Sequence, residues 1–323
     1  MDLNNLVAIT GDGEGVLGKI IYYSLSSILV DRDKLEGICD ELEFPYTSTR
    51  RVAHADAFRS ATGDIYDKKT VSGIFGPETF KIYCRDNKAE KGTTSRELVK
   101  ETLGENTNTY KKLANITYSK GDGLSFSDLV YDSHIDPLDY CNEAMRLYEL
   151  YQVCAGRKQI ETMLETYIGS LNAAKLLAHG KMYFVPRDRM AKLDDFELLI
   201  QRLEEANQQQ NEFRYPLDAN SMYVVDDEKQ RKKMATAFYN SVRRDIAECT
   251  ERANYFIQSD SQSPAVMERW ALKIQGLKVK KREYEDVLRR ELTDLDGELD
   301  SLGYLADELA IRARGLHMRK AAA

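Results

Sequence analysis

The sequence predicts an α+β fold: an N-terminal α/β unit with an antiparallel β-meander, then a mainly helical region ending in a long antiparallel coiled-coil hairpin. Three observations lead there. Between residues 74 and 130 apolar and polar side chains alternate with a period of two, as on half-buried strands. From Pro137 onward the period lengthens to threes and fours, as on helices. Beyond Asp226, two apolar stripes at helical spacing are separated by a short polar link at residues 259–262. On this basis the chain divides into an α+β domain (1–135), a helical and α/β domain (136–225) and the hairpin (226–320), with residues 321–323 set aside as a cloning remnant.

Composition bounds the rest. The chain has 323 residues, 42% hydrophobic and 31% charged, which is long and apolar enough for a sizeable core. Six prolines and 19 glycines exclude a collagen-like or disordered chain. No run approaches the roughly 20 apolar residues of a membrane helix, and MDLNNLVAIT lacks the basic and apolar regions of a secretory signal. The expectation is a cytoplasmic protein without a membrane partner. Cys39, Cys84, Cys141, Cys154 and Cys249 are odd in number and far apart, which argues against a disulfide framework or a zinc site. No metal and no cofactor is expected. The net charge of −7 speaks against a nucleic-acid binder overall and leaves room for a local basic patch.

Taken in order, residues 6–10 read as a buried strand, followed by a glycine-rich turn at residues 11–15 and an apolar helix at 16–29. Asp31 caps a helix at 32–42 with Leu35, Ile38 and Leu42 on one face, and Pro45 ends it. A third helix is predicted at 53–62, stopped by Gly63. The meander follows. Phe80, Ile82 and Cys84 alternate with Lys81, Tyr83 and Arg85, and residues 96–103, 112–119 and 124–130 repeat the pattern, giving about four strands. Asp136-Pro137 opens a helix with an aspartate cap and a first-turn proline. Helices are predicted at 137–154, 157–178 and 188–207, with short strands at 182–185 and 222–225 as a small α/β insert. The hairpin's first stripe is Met234, Phe238, Val242, Ile246, Cys249, Ala253 and Phe256. Its second runs from Met267 through Trp270, Ile274, Leu277, Tyr284, Leu288, Leu292, Leu295 and Leu299 to Leu302, interrupted at Lys281.

Two places carry candidate chemistry. The segment from Gly13 to Lys19, with Gly18 before the lysine, has the spacing GxxxxGK after a predicted strand and before a predicted helix, the context of a phosphate-cradling loop. Ile20 stands where a magnesium-binding hydroxyl belongs, and Asp12 and Glu14 add negative charge. The alternative is a tight strand-to-helix turn. The second place is the hairpin stem. Folding it about residue 261 sets Lys232 and Lys233 beside Arg289 and Arg290, and Arg243 and Arg244 beside Lys278 and Lys280, a basic stripe suited to a phosphate backbone. The alternative is charge that serves solubility and register. His54, His134, His179 and His317 are scattered, with no metal-ligand spacing, and no nucleophile elbow occurs. Nineteen tyrosines, in clusters such as Tyr22-Tyr23, Tyr140 with Tyr148 and Tyr151, and Tyr183, serve either as interface anchors or as core.

LVAITGDGEGVLGK, DAFRSATGD (56–64), FKIYCRDN (80–87), SRELVKETL (95–103) and MYFVPR (182–187) give the chain its likeness. It resembles an uncharacterised family of Firmicutes, their phages and other mobile elements, with more distant archaeal relatives. The resemblance spans nearly the whole chain and implies one shared architecture in a prokaryotic or phage setting, with no catalytic residues to carry over. Residues and resemblance together lead to a non-enzymatic, oligomer-forming interaction protein that binds a protein partner or itself and serves in host–element conflict. The alternatives are a nucleic-acid-binding protein using the basic stem and a divergent nucleotide-binding enzyme using Lys19.

Overall fold

The computed structural model describes residues 15–46, 51–73, 76–88, 92–104, 107–177, 179–209, 215–259 and 263–322. The strand expected at 6–10, and Gly13 with the rest of the turn up to Glu14, lie outside the described residues, as do parts of the polar loops at 208–211 and 259–262. In chain order the elements are β1 (Val16–Ser24), β2 (Leu29–Asp31), α1 (Arg32–Glu41), α2 (His54–Gly63), β3 (Tyr66–Gly73), β4 (Gly76–Asn87), β5 (Thr93–Thr102), β6 (Thr109–Ser119) and β7 (Gly123–Ser127). There follow α3 (Pro137–Val153), β8 (Cys154–Gly156), α4 (Arg157–Ser170), β9 (Ala174–Lys175), β10 (Met182–Pro186), α5 (Ala191–Glu205) and β11 (Asp218–Val225). Three long helices close the chain: α6 (Glu228–Gln258), α7 (Pro264–Leu288) and α8 (Asp296–Ala322).

These elements form two compact units that interleave in sequence. One holds Ser27–Glu161 and the segment beginning at Glu205; the other holds the residues up to Ser26, Thr162–Glu204 and those from Tyr215 on. The interleaving arises because β1 finds its sheet partners, β10 and β11, far along the chain.

In the first unit, β3 to β7 make a five-stranded antiparallel meander, each strand paired with the next. Phe80, Ile82, Leu98, Ala114 and Ile116 point to one face, where Ala57, Phe58 and Ala61 of α2 and Cys141, Ala144 and Leu147 of α3 close a single core. The strand that the alternation misses is β3. Its sequence, YDKKTVSG, is polar because it is an edge strand that contributes only Val71 to that core, and lysines on an edge discourage pairing with other chains. Asp31 caps α1 by accepting from the Asp33 and Lys34 amides at 3.0 and 3.1 Å, and Asp136 caps α3 through Leu138 N at 2.8 Å. A two-stranded ladder of β2 and β8 completes this unit.

In the second unit the sheet order is β11-β1-β10-β9, all antiparallel. Here residues 16–29 are not the expected helix: Val16–Ser24 is the central strand β1. Both of its faces are covered, so its apolar run lacks alternation and reads like a buried helix. The content of Val16, Ile20, Ile21, Tyr22 and Tyr23, β-branched and aromatic, favours the strand. On one face Phe184 meets Tyr284 of α7 edge-on at 5.9 Å, and Tyr284 packs on Phe238 of α6 at 4.3 Å. On the other, Tyr23 meets Phe196 of α5 at 5.2 Å, and Tyr167 of α4 stacks on Phe196 at 6.0 Å.

The C-terminal helices form a bundle of three. Ion pairs Lys273–Glu248 (3.0 Å) and Lys280–Asp245 (3.7 Å) set α7 antiparallel to α6. Lys278–Asp300 and Lys281–Asp296 (both 2.9 Å) set α8 antiparallel to α7. Arg243–Glu298 and the Arg312 guanidinium on the Ile257 carbonyl place α8 alongside α6 in the same direction. The second stripe is thus two helices and not one continuous arm. Arg289 takes a left-handed conformation (φ 49°), a short turn follows, and α8 folds back. The stripe hides this break because Leu288, Leu292, Leu295, Leu299 and Leu302 are all buried through the turn. Lys281, the polar position within the stripe, joins Glu285 and Asp296 across the break, and Glu285 also accepts the Leu292 amide at 2.8 Å.

Candidate functional site

Gly18 and Lys19 stand within a strand, so the strand–loop–helix context of a phosphate loop is missing there. Gly18 sits at a bulge between Val16 and Gly18 where β1 and β11 change register. A Cβ at Gly18 would lie 2.0 Å from the Val185 carbonyl oxygen, so the glycine serves close approach of β10. Lys19 pairs with Asp194 at 3.0 Å and lies over the Tyr223 ring at 5.1 Å. A structural account of the glycine and the lysine is complete without phosphate.

The basic stem is spread over a network of its own acids. Lys232 pairs with Glu228, Arg243 with Glu298, Lys278 with Asp300, Lys280 with Asp245 and Arg289 with Asp226. Arg244 donates to the backbone carbonyls of Asn240 and Lys175. Lys280 is nearly enclosed, donates to the Ala173 carbonyl at 2.9 Å, and burial pulls its pKa down. It fastens the 172–174 turn onto α7 and offers nothing to an outside ligand. Five of the eight stem cations thus face acids of this chain, and two of those acids, Glu298 and Asp300, come from α8, which a two-helix picture leaves out.

Around Asp226 the stem does concentrate charge. Its carboxylate accepts from Arg231, lies 3.7 Å from Arg289, and is held below the usual carboxylate range first by the Arg231 hydrogen bond. Its amide donates to Gly15 O at 2.8 Å, joining the end of β11 to the start of β1.

Thiol chemistry finds no activated group among the described residues. Burial pushes Cys84 up to about 12 and Cys39, Cys141, Cys154 and Cys249 to about 11, far from the thiolate a nucleophile needs. Among the described residues no three His, Cys, Asp or Glu side chains gather as a metal site. His54 Nδ1 lies 3.1 Å from Tyr148 OH, at the rim of a polar cleft of about 580 Å³ lined by Asp31, Arg32, Glu36, Arg51 and Gln152. No sequence spacing announces this cleft, since α1, α2 and the end of α3 each contribute part of it. The clustered tyrosines turn inward: Tyr23 and Tyr183 are buried, Tyr140 donates to Asp67 at 2.8 Å, and Tyr151 donates to Asp64 at 2.6 Å.

Large apolar side chains on the outside of the bundle are the remaining feature. On α8, Tyr304, Ile311 and Met318 are 76%, 61% and 71% exposed. The opposite face, with Leu299, Leu302, Ala306, Leu309 and Ala313, is buried. A step of seven keeps the exposed three on one stripe. On α7, Leu272 and Val279 repeat the step and the exposure.

A family model matches residues 16–315, from the first residue of β1 into the last turns of α8. The chain belongs to DUF6744, a family of unknown function. No curated protein and no solved structure matches it. The DUF6744 match takes in both units and every candidate residue above except Gly13 and Met318. No helix of the described residues is long and apolar enough to cross a membrane.

Proposed function

We propose that this protein is a non-enzymatic, self-associating interaction protein, and that α8 pairs with α8 of a second copy as an antiparallel coiled coil. The observation that carries this reading is the exposed stripe Tyr304, Ile311 and Met318 at heptad spacing. Charge supports the antiparallel sense. Before Ile311 the helix carries Asp296, Glu298, Asp300, Asp307 and Glu308 and no base; after it come Arg312 and Arg314 and no acid. With Ile311 packed on itself, Tyr304 faces Met318 of the other copy, and Asp307 and Glu308 approach its Arg314. The seam from Tyr304 to Met318 is about 21 Å long at the rise of a helix, short enough for exchange at micromolar concentration. The setting we infer is the bacterial cytoplasm, with a phage or mobile element as the source, on the strength of the family resemblance.

Sedimentation equilibrium tests the pairing. The wild type should dimerise with rising concentration, and Ile311→Glu, which sets two carboxylates against each other at the centre, should remain monomeric with an unchanged unfolding curve. A wild type that stays monomeric to about 100 µM, well above the Kd expected of a short seam, ends this reading.

A further inference from the structure

The face of the five-stranded sheet turned away from α2 and α3 carries a pattern that folding does not require. The register places Tyr66 directly opposite Tyr83, and Lys68 directly opposite Lys81, on this face. Lys81 is next to Glu101, and Glu101 to Tyr110, in the same row. Tyr66 is 58% and Tyr110 54% exposed. Two lysines directly across an antiparallel pair repel each other; Lys81 attracts Glu101 in the same row, and Lys68 makes no ion pair of 4 Å or less with a described residue. Neighbouring acids are already engaged. Glu101 accepts from Asn108 at 2.7 Å and from Tyr110 at 3.0 Å, and Glu97 is paired with Arg85 at 2.9 Å. Arg85 also lies over the Tyr110 ring at 5.9 Å, which supports that ring from the side. The result is a band of three tyrosines interleaved with two facing lysines, of which Lys81 has Glu101 beside it, on an otherwise acidic protein.

We propose that this band binds single-stranded nucleic acid, with bases stacked on Tyr66, Tyr83 and Tyr110 and the phosphates drawn to Lys68 and Lys81. Each observation fits that ligand. Stacking on aromatic side chains uses the flat face that every base has, and an open sheet presents such rings without a groove. A phosphate backbone relieves the Lys68–Lys81 repulsion that the free protein bears. From β3 to β6 the band is about 14 Å wide at ordinary strand spacing, enough for two or three bases. A duplex hides its base faces and does not fit. This ligand and this surface are distinct from the α8 stripe and from the stem.

Fluorescence anisotropy with labelled oligo(dT) and oligo(U) of about 12 nucleotides, and a duplex of the same length, tests the proposal on the full chain. Single strands should bind, with affinity falling steeply between about 50 and 200 mM salt, and the duplex should bind more weakly. The two single strands separate a DNA from an RNA ligand. Tyr66→Ala with Tyr110→Ala should weaken binding at least about tenfold, while Tyr66→Phe should keep it, since the ring is retained. Lys68→Gln with Lys81→Gln, which removes the like-charge pair, should weaken binding and flatten its salt dependence while leaving far-UV circular dichroism unchanged. Affinity indifferent to these substitutions while Lys232→Glu with Lys233→Glu removes it would move the ligand to the stem and overturn the proposal. So would equal binding of the duplex, or no binding of either strand. Capture of a protein that Tyr66→Ala releases, with no nucleic acid bound, would assign the face to that protein and refute a nucleic-acid ligand.

Discussion

In the five-stranded sheet each strand pairs with its neighbours in sequence, β3 through β7, whereas in the four-stranded sheet Ile20 of β1 lies opposite Phe184 of β10 and Met222 of β11. The first sheet is closed by short turns and packs one face on the helices, so strands such as β4 alternate. The second closes long loops and is covered on both faces, so its central strand does not alternate. Loop-closure entropy is met late for such pairing, and the β1 sheet therefore depends on fine fit where its distant strands meet. The local sheet tolerates more, because each hairpin holds its own register.

Substitution at one glycine in each sheet should break or sharpen that contrast. Gly18→Val forces a side chain into the Val185 carbonyl, 2.0 Å from the added Cβ, and should cost more than about 3 kcal/mol. Urea unfolding followed by Trp270, the single tryptophan, reads this directly, since Trp270 packs against the core beneath β1. An unshifted midpoint would show that β1 and β10 slide apart freely.

A smaller effect is expected at the clasp between β11 and β1. Asp226→Asn should cost about 1–2 kcal/mol at neutral pH, where the carboxylate is fully charged against Arg231 and Arg289. Because the folded pKa is depressed, this contribution is complete above the unfolded carboxyl's value of about 4 and fades as the pH falls through the folded value. A pH series of unfolding curves should show the two proteins converging in acid; a constant gap would assign the loss to packing alone.

The smallest effect belongs to the local sheet. Gly121, in the β6–β7 turn, has no left-handed backbone and nothing within 4 Å of an added Cβ, so Gly121→Ala should change stability by no more than about 1 kcal/mol. Circular dichroism during urea unfolding measures it. A loss as large as that at Gly18 would erase the distinction between the sheets.

Legibility in the sequence follows the same division. Helix starts at Asp31, Asp136 and Asp227 are readable because a side-chain oxygen three residues or fewer from its amide partner is a local device. The strand pattern around Phe80 and Ile82 is readable because one face is wet. β3 is not, since its core contribution is one valine. The GxxxxGK spacing misleads because glycine allows tight backbone approach in a strand as well as in a phosphate loop. The stem misleads in another way: a two-helix pairing leaves out α8, from which Asp300 and Glu298 come. The sheet-face band lies in the alternation itself, in Tyr83 with Lys81 and Arg85, but Tyr66, Lys68 and Tyr110 join it only through strand pairing.

By itself the sequence determined the α+β class, the antiparallel meander, the aspartate caps and the apolar stripes of the last helices, because each depends on residues a few positions apart. Tertiary structure alone decided that residues 16–24 form a strand, that the last stripe bends back at Arg289, and which cations meet acids. Those outcomes depend on what covers a segment from afar, and covering surfaces leave no mark on local periodicity.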